Sequence, residues 1–242
     1  MIRGIFYWVF GTVFTILDAF VFYILYPILR INPNIPHLII KFWSNGLLTF
    51  FCGADIEVIG SRNIDLSKNY IIVSNHRSHM DIPLASVAVP LQFRWLSKSS
   101  LFKIPVFGLA MKIAGYVSVE RSRSISASRS LDKVKDVLDE GKSVWIFPEG
   151  TRTPRDELGK FKRGAFLLAK DTKKPLLPVI LVHTDKIFYR PYIVRRRTVK
   201  VIVCEPLYYN DFIEEKMSDR DVMSRMSQSV RELIQEKYNS AC

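Results

Sequence analysis

The hydrophobic and polar positions give this chain two textures. Residues 4–29 carry one charge, Asp18, among nine aromatic side chains, including Trp8, Phe10, Phe14, Phe20 and Phe22. That stretch predicts a helix long enough to cross a bilayer. It is too long for a removable signal peptide and has no small-residue cleavage site. The turn signal Asn32-Pro33-Asn34-Ile35-Pro36 ends it. Residues 37–51 form a second apolar stretch, broken by Lys41 and bearing Trp43, and read as an amphipathic helix. Two arrangements fit: a spanning helix followed by a surface helix, or a hairpin that dips into one leaflet. A carboxylate at bilayer mid-depth costs about 2.5–3.5 kcal/mol, so Asp18 and the half-polar second helix favour the hairpin.

Past residue 53 the pattern changes to short apolar runs alternating with helical periods. Strands are expected at 56–59, 70–73, 93–96, 116–119, 143–147, 176–182 and 199–203. Helices are expected at 81–89, at 101–114 with a break at Pro105, at 124–140 closed by Gly141, at 164–171 and at 218–238. The last of these has apolar positions at Val222, Met226, Val230 and Leu233. Alternating strands and helices predict an α/β fold with a mostly parallel central sheet flanked by helices. The chain thus divides into a two-helix membrane-associating unit, 1–53, and an α/β domain, 54–242.

Composition changes this picture in two ways. The 242 residues carry a formal charge of +12 with a pI of about 9.7, which points to an anionic partner. Cys52, Cys204 and Cys242 are too few and too scattered for a disulfide framework or a zinc site, and fit a reducing compartment.

The candidate chemistry gathers where strands end. After the apolar run 70–73 comes Ser74-Asn75-His76-Arg77-Ser78-His79-Met80-Asp81, and then a helix start. Open α/β folds keep reacting groups at such junctions. A loop of this length lets the Asp81 carboxylate reach one imidazole nitrogen of His76, leaving the other free as a general base. Three further stretches follow in order: Lys98 to Gly108 with Glu120-Arg121 beyond it, Phe147-Pro148-Glu149-Gly150-Thr151-Arg152, and Leu177-Pro178-Val179-Ile180. The Glu-Gly-Thr-Arg stretch suits a phosphate. Gly150 lets backbone N–H groups approach an anion, Thr151 adds a hydroxyl, and Arg152 adds a planar fork. Lys98 and Arg121 can add charge from neighbouring loops, although Arg121 can equally pair with Glu120.

Taken together and in this order, these stretches resemble the glycerolipid acyltransferase family, most nearly the bacterial lysophosphatidic acid acyltransferases. The likeness spans about residues 75–179, and the apolar N-terminus looks like that family's membrane-associating helices. The resemblance implies a general base at His76 oriented by Asp81. It also implies a glycerol-phosphate site built from Lys98, Arg121, Glu149, Gly150, Thr151 and Arg152. Glu120-Arg121-Ser122-Arg123 matches the family's second motif only loosely. The implied reaction acylates the sn-2 hydroxyl of lysophosphatidic acid to give phosphatidic acid in phospholipid biosynthesis. Glycerol 3-phosphate and other lysophospholipids are the alternative acceptors. The co-substrate is the thioester of acyl carrier protein or coenzyme A, and no bound cofactor or metal is required. The oxyanion stabiliser is not identifiable from the sequence; backbone N–H groups near the helix start after Asp81 are candidates. The implied location is the cytoplasmic face of the inner membrane, with anionic lipids as partners.

Three rival readings are weaker. His76, His79 and Asp81 are all metal-ligand types, but no fourth ligand stands out. Ser74 and Ser78 flank His76, but no Gly-x-Ser-x-Gly elbow is present. The clusters Arg190, Arg195, Arg196, Arg197 and Lys160, Lys162, Arg163, Lys170, Lys173, Lys174 carry no nucleic-acid motif, and read as attraction to lipid head groups.

Overall fold

The computed structural model describes residues 2–29, 32, 34–120, 124–153, 157–190 and 193–242. The run 70–73 becomes strand β2, Ile71–Ser74, at the middle of a seven-stranded sheet. Around it lie β1 (Asp55–Ile59), β3 (Phe93–Lys98), β4 (Val117–Val119), β5 (Ser143–Ile146), β6 (Leu176–Val182) and β9 (Thr198–Val203), in the order β1-β9-β6-β2-β5-β3-β4. All neighbours are parallel except β6 and β9, which run antiparallel. The mostly parallel sheet is therefore as expected. The short antiparallel pair β7 (Phe188–Arg190) and β8 (Ile193–Val194) was not anticipated.

The central strands are apolar on both faces because both faces are covered. Successive side chains alternate sides. Tyr70 and Ile72 enter one core with Leu84, Phe93, Trp95 and Trp145, while Ile71 and Val73 enter the other with Val144, Phe166 and Ile180. The second core is closed by the helix Asp219–Ala241, whose buried residues Val222, Met226, Val230, Ile234 and Tyr238 fall four apart. Ile234 holds the place the periodicity gave to Leu233, which is partly buried beside it.

The N-terminal helix runs over Gly4–Ile24 and contains one wider π-helical turn at Tyr7–Gly11. By length and composition it can cross a membrane. The second helix, Ile35–Asn45, continues through a wider turn at Gly46–Phe51. The two pack antiparallel: Phe6 meets Phe51 at 5.6 Å, Phe14 meets Phe42 at 6.1 Å, and Trp43 Nε1–H donates to Thr15 Oγ1 at 3.0 Å. Gly46 permits this approach, since a Cβ there would lie 2.9 Å from the Phe14 ring. The hairpin rests on the domain through Tyr7, whose ring meets Phe188 edge-on at 5.0 Å. Asp18 lies among the residues that line a cavity between hairpin and domain.

Candidate active site

The site forms at the carboxyl ends of β6, β2, β5 and β3, where open α/β sheets hold their ligands. Just past β2, Asn75 extends the ladder with its side chain. Its Nδ2–H donates to the Leu181 carbonyl, and its Oδ1 accepts from the Leu181 N–H, both at 2.8 Å. This clamps the strand end and starts the loop that carries His76. Ser78 then turns the chain inward by accepting the Met80 N–H at 3.1 Å, and the helix Asp81–Ala88 begins.

Asp81 is fully buried and fully satisfied. Its Oδ2 accepts from His76 Nδ1 at 2.8 Å, from the Arg77 N–H at 2.7 Å and from the Ser78 N–H at 2.9 Å. Its Oδ1 accepts the hydroxyl of Thr184. A buried carboxylate demands such partners. The arrangement puts the imidazole proton on Nδ1 and turns the Nε2 lone pair outward. It also uses the amides of Arg77 and Ser78, so these two cannot serve an oxyanion. The His76 ring stacks on Phe147 at 3.8 Å and 13°, and Phe147 stacks in turn on Trp95 at 5.5 Å and 16°.

A cavity of about 320 Å³ opens beside His76, lined also by Lys98, Phe147, Gly150 and Lys162. Lys98 enters from the end of β3. Lys162 lies over Gly150, where an added Cβ would be 2.8 Å from its Nζ. Gly150 sits at φ +71°, a conformation open to glycine. A second cavity of about 190 Å³ lies between hairpin and domain. It is lined by Asp18, Phe22, His79, Phe107 and Tyr116 among others, and shares Ile82, Trp95, Ser97 and Leu101 with the first.

The remaining expected residues fall in different places. Glu149 does not line the cavity. It is buried, its Oε1 accepting the His76 N–H and its Oε2 the Gly159 N–H, both at 3.0 Å. Thr153 N–H reinforces this strap by donating to the His76 carbonyl at 2.8 Å. The strap is itself supported from the last helix: Arg231 donates to the carbonyls of Leu158 and Gly159, and Gln235 accepts the Leu158 N–H. Thr151 and Arg152 are exposed and do not line the cavity. Arg152 lies on the His79 side: His79 titrates below its usual range because of burial, and then because of the Arg152 charge. Arg121 lies outside the described residues. Among the described residues, no group of three or more His, Cys, Asp or Glu side chains converges as a metal site.

Two residues at the site escaped the sequence reading. Lys162 was seen only as one member of a basic run. Thr184 follows β6 and lies 103 positions from Asp81, with no local signal linking them.

A family model described as "Acyltransferase" matches residues 55–182. A chloroplastic 1-acyl-sn-glycerol-3-phosphate acyltransferase of Brassica napus is 34% identical over 182 residues, covering 74% of this chain and 52% of that protein. A 1-acyl-sn-glycerol-3-phosphate acyltransferase of Borreliella burgdorferi is 35% identical over 58% of this chain and 56% of its own length. The chain thus spans about half the length of these relatives. The crystal structure of the 1-acyl-sn-glycerophosphate acyltransferase PlsC from Thermotoga maritima superposes with a TM-score of 0.68. At 22% identity, the alignment covers 95% of this chain and 96% of that one, a likeness of fold.

Proposed function

The chain belongs to the Acyltransferase family, and from that premise we propose that it moves an acyl group from a thioester to the free hydroxyl of lysophosphatidic acid. The observation that carries this reading is the 2.8 Å contact of His76 Nδ1 with a buried Asp81, beside a cavity lined by two lysines. His76 Nε2 takes the proton of the acceptor hydroxyl as its oxygen attacks the thioester carbonyl. The C–O bond forms, the C–S bond breaks, and the imidazolium returns its proton to the departing sulfur. Asp81 stabilises that imidazolium and keeps the ring in its tautomer. No enzyme nucleophile is required, because the thioester is already activated.

The acceptor's phosphate fits between Lys98 and Lys162 against the Gly150 backbone, with Thr151, Arg152 and Arg121 as further binding residues on the family resemblance. In this reading Glu149 serves the site by holding the His76 loop. The alkyl chain suits the apolar cavity behind Trp95 and Leu101. The donor is the thioester of acyl carrier protein or coenzyme A. The hairpin dips into the cytoplasmic leaflet of the inner membrane, and the exposed arginines Arg195 and Arg197 meet anionic head groups. Arg196 of the same run is exposed too and meets Asp55 at 3.1 Å.

The test is transfer from each thioester to lysophosphatidate, glycerol 3-phosphate and lysophosphatidylcholine, with His76→Ala as the variant. Lysophosphatidate should be the preferred acceptor, and the variant should lose about 10²–10⁴-fold in rate. Transfer by His76→Ala near the wild-type rate would remove the base from the mechanism.

A further inference from the structure

Between Asp81 and Glu120 the chain has no acidic residue. Within that stretch, the segment from Ser99 through the short helix Phe107–Ile113 exposes Leu101, Ile104, Val106, Phe107 and Leu109, each 36–50% accessible. Scattered apolar side chains at a surface need no explanation, but five within nine residues form a patch that calls for a partner. Their exposure is built into the backbone. Val106 sits at φ 62°, ψ −58°, and the Phe107 N–H donates to the Pro105 carbonyl at 2.6 Å. This is a γ-turn in its strained form, here centred on a β-branched residue. Gly108 locks the turn, since a Cβ there would lie 2.3 Å from the Phe102 carbonyl oxygen.

The position of the patch identifies its partner. Leu101 and Phe107 form one wall of the apolar cavity whose other wall is Thr15, Asp18 and Phe22 of the N-terminal helix. Two residues of the patch therefore meet the hairpin across that cavity, so patch and hairpin are neighbours. Lys98, Lys103 and Lys112 accompany it. An apolar centre with cationic neighbours matches a bilayer with anionic head groups.

We infer that segment 99–113 is a second membrane contact, lying in the leaflet beside the hairpin, and that the gap between the two is the opening through which a lipid acceptor leaves the bilayer. The inference rests on the lipid-acyltransferase reading given above. The test uses the full chain with Cys242→Ser, because Cys52 and Cys204 are buried. A nitroxide is attached at Ile104→Cys, or at Leu66→Cys, an exposed apolar position before β2 at the opposite end of the sheet. The protein is bound to vesicles of phosphatidylethanolamine and phosphatidylglycerol. The label at 104 should collide with dissolved oxygen in preference to an aqueous nickel chelate, and the label at 66 should do the reverse. A label at 104 as wet as that at 66 overturns the inference. So does a label at 104 that is already shielded without vesicles in a chain of doubled mass, which would make the partner a second copy. The double variant Ile104→Asp, Leu109→Asp should raise KM for vesicle-borne lysophosphatidate about tenfold and leave kcat unchanged; an unchanged KM counts against the opening. Label depth is read without any chemistry, so failure of acyl transfer and failure of the membrane contact are separate results.

Discussion

The hairpin and the His76 pocket invert the ordinary distribution of residues in opposite directions. The hairpin puts large apolar groups outside, with Ile16, Phe20, Phe42 and Phe50 all more than half exposed. The His76 site buries charge instead, with Asp81 at the imidazole and Glu149 at the backbone of the same residue. In each case the departure is physically compensated. Each buried carboxylate is met by several donors, which converts a desolvation penalty into fixed geometry. The exposed rings keep more than half of their surface uncovered by the described residues, and they gain stability when lipid covers them. Violations of the inside–outside rule thus divide into those the fold satisfies itself, which mark chemistry, and those it leaves open, which mark a docking surface.

The largest expected effect separates the two regions. Ile16→Glu with Phe20→Glu should lower vesicle partitioning by about 100-fold and leave transfer to a short-chain, water-soluble acceptor intact. Co-sedimentation and the soluble assay read these separately. Unchanged partitioning, or loss of both properties together, would mean the hairpin is core rather than surface.

A smaller effect tests whether the donors around Asp81 act as a unit. Thr184→Val removes one hydrogen bond to a buried carboxylate, worth about 1.5–3 kcal/mol. It should lower kcat roughly tenfold or more with KM unchanged, and Thr184→Ser should restore the rate. If Val and Ser behave alike, the hydroxyl is packing only.

The smallest effect lies at the junction of the two regions. His37, buried on the second helix edge-on to Phe93 at 4.7 Å, titrates down to about 4 because of burial, then because of the Arg94 and Lys41 charges. The unfolded chain takes a proton on this ring below about 6.5, whereas the folded chain does so only below about 4. Stability should therefore be independent of His37 above pH 6.5 and fall as pH drops from there toward 4. Denaturation in detergent at pH 7.5, 7 and 6 should show a flatter curve for His37→Gln, by about 1 kcal/mol at pH 6. A curve parallel to the wild type would remove His37 from the hairpin–domain joint.

Much of this was legible along the chain. The unbroken apolar run 70–73, with turn residues after it, announces a doubly covered strand, because only a strand buried on both faces tolerates such a run. The direction of residues 199–203 was not legible, since alternation reports which faces are buried and not which way a strand runs. The β7–β8 pair left no signal either, being short and set beside exposed arginines. At the site, Phe147 stood inside a recognised stretch, yet its stacking on His76 depends on β5 lying beside β2. Glu149 was expected at the glycerol phosphate, and its hold on the His76 loop was hidden for the same reason, the N–H it accepts being 73 positions away.

By itself, the sequence determined an apolar helical pair ahead of an α/β domain, and an imidazole with a carboxylate five residues on. Both follow from interactions between near neighbours, where the local backbone limits the choices. Tertiary structure alone decided that Thr184 completes the carboxylate's partners, that Lys162 joins Lys98 at one cavity, that Glu149 holds a loop, and that Asp18 lines the cavity under the hairpin. Each of these is a meeting of distant segments, set by the order of strands in the sheet and by the docking of helices on it. Strand order follows from the total burial of the assembled core, to which no single stretch of residues carries a local signal.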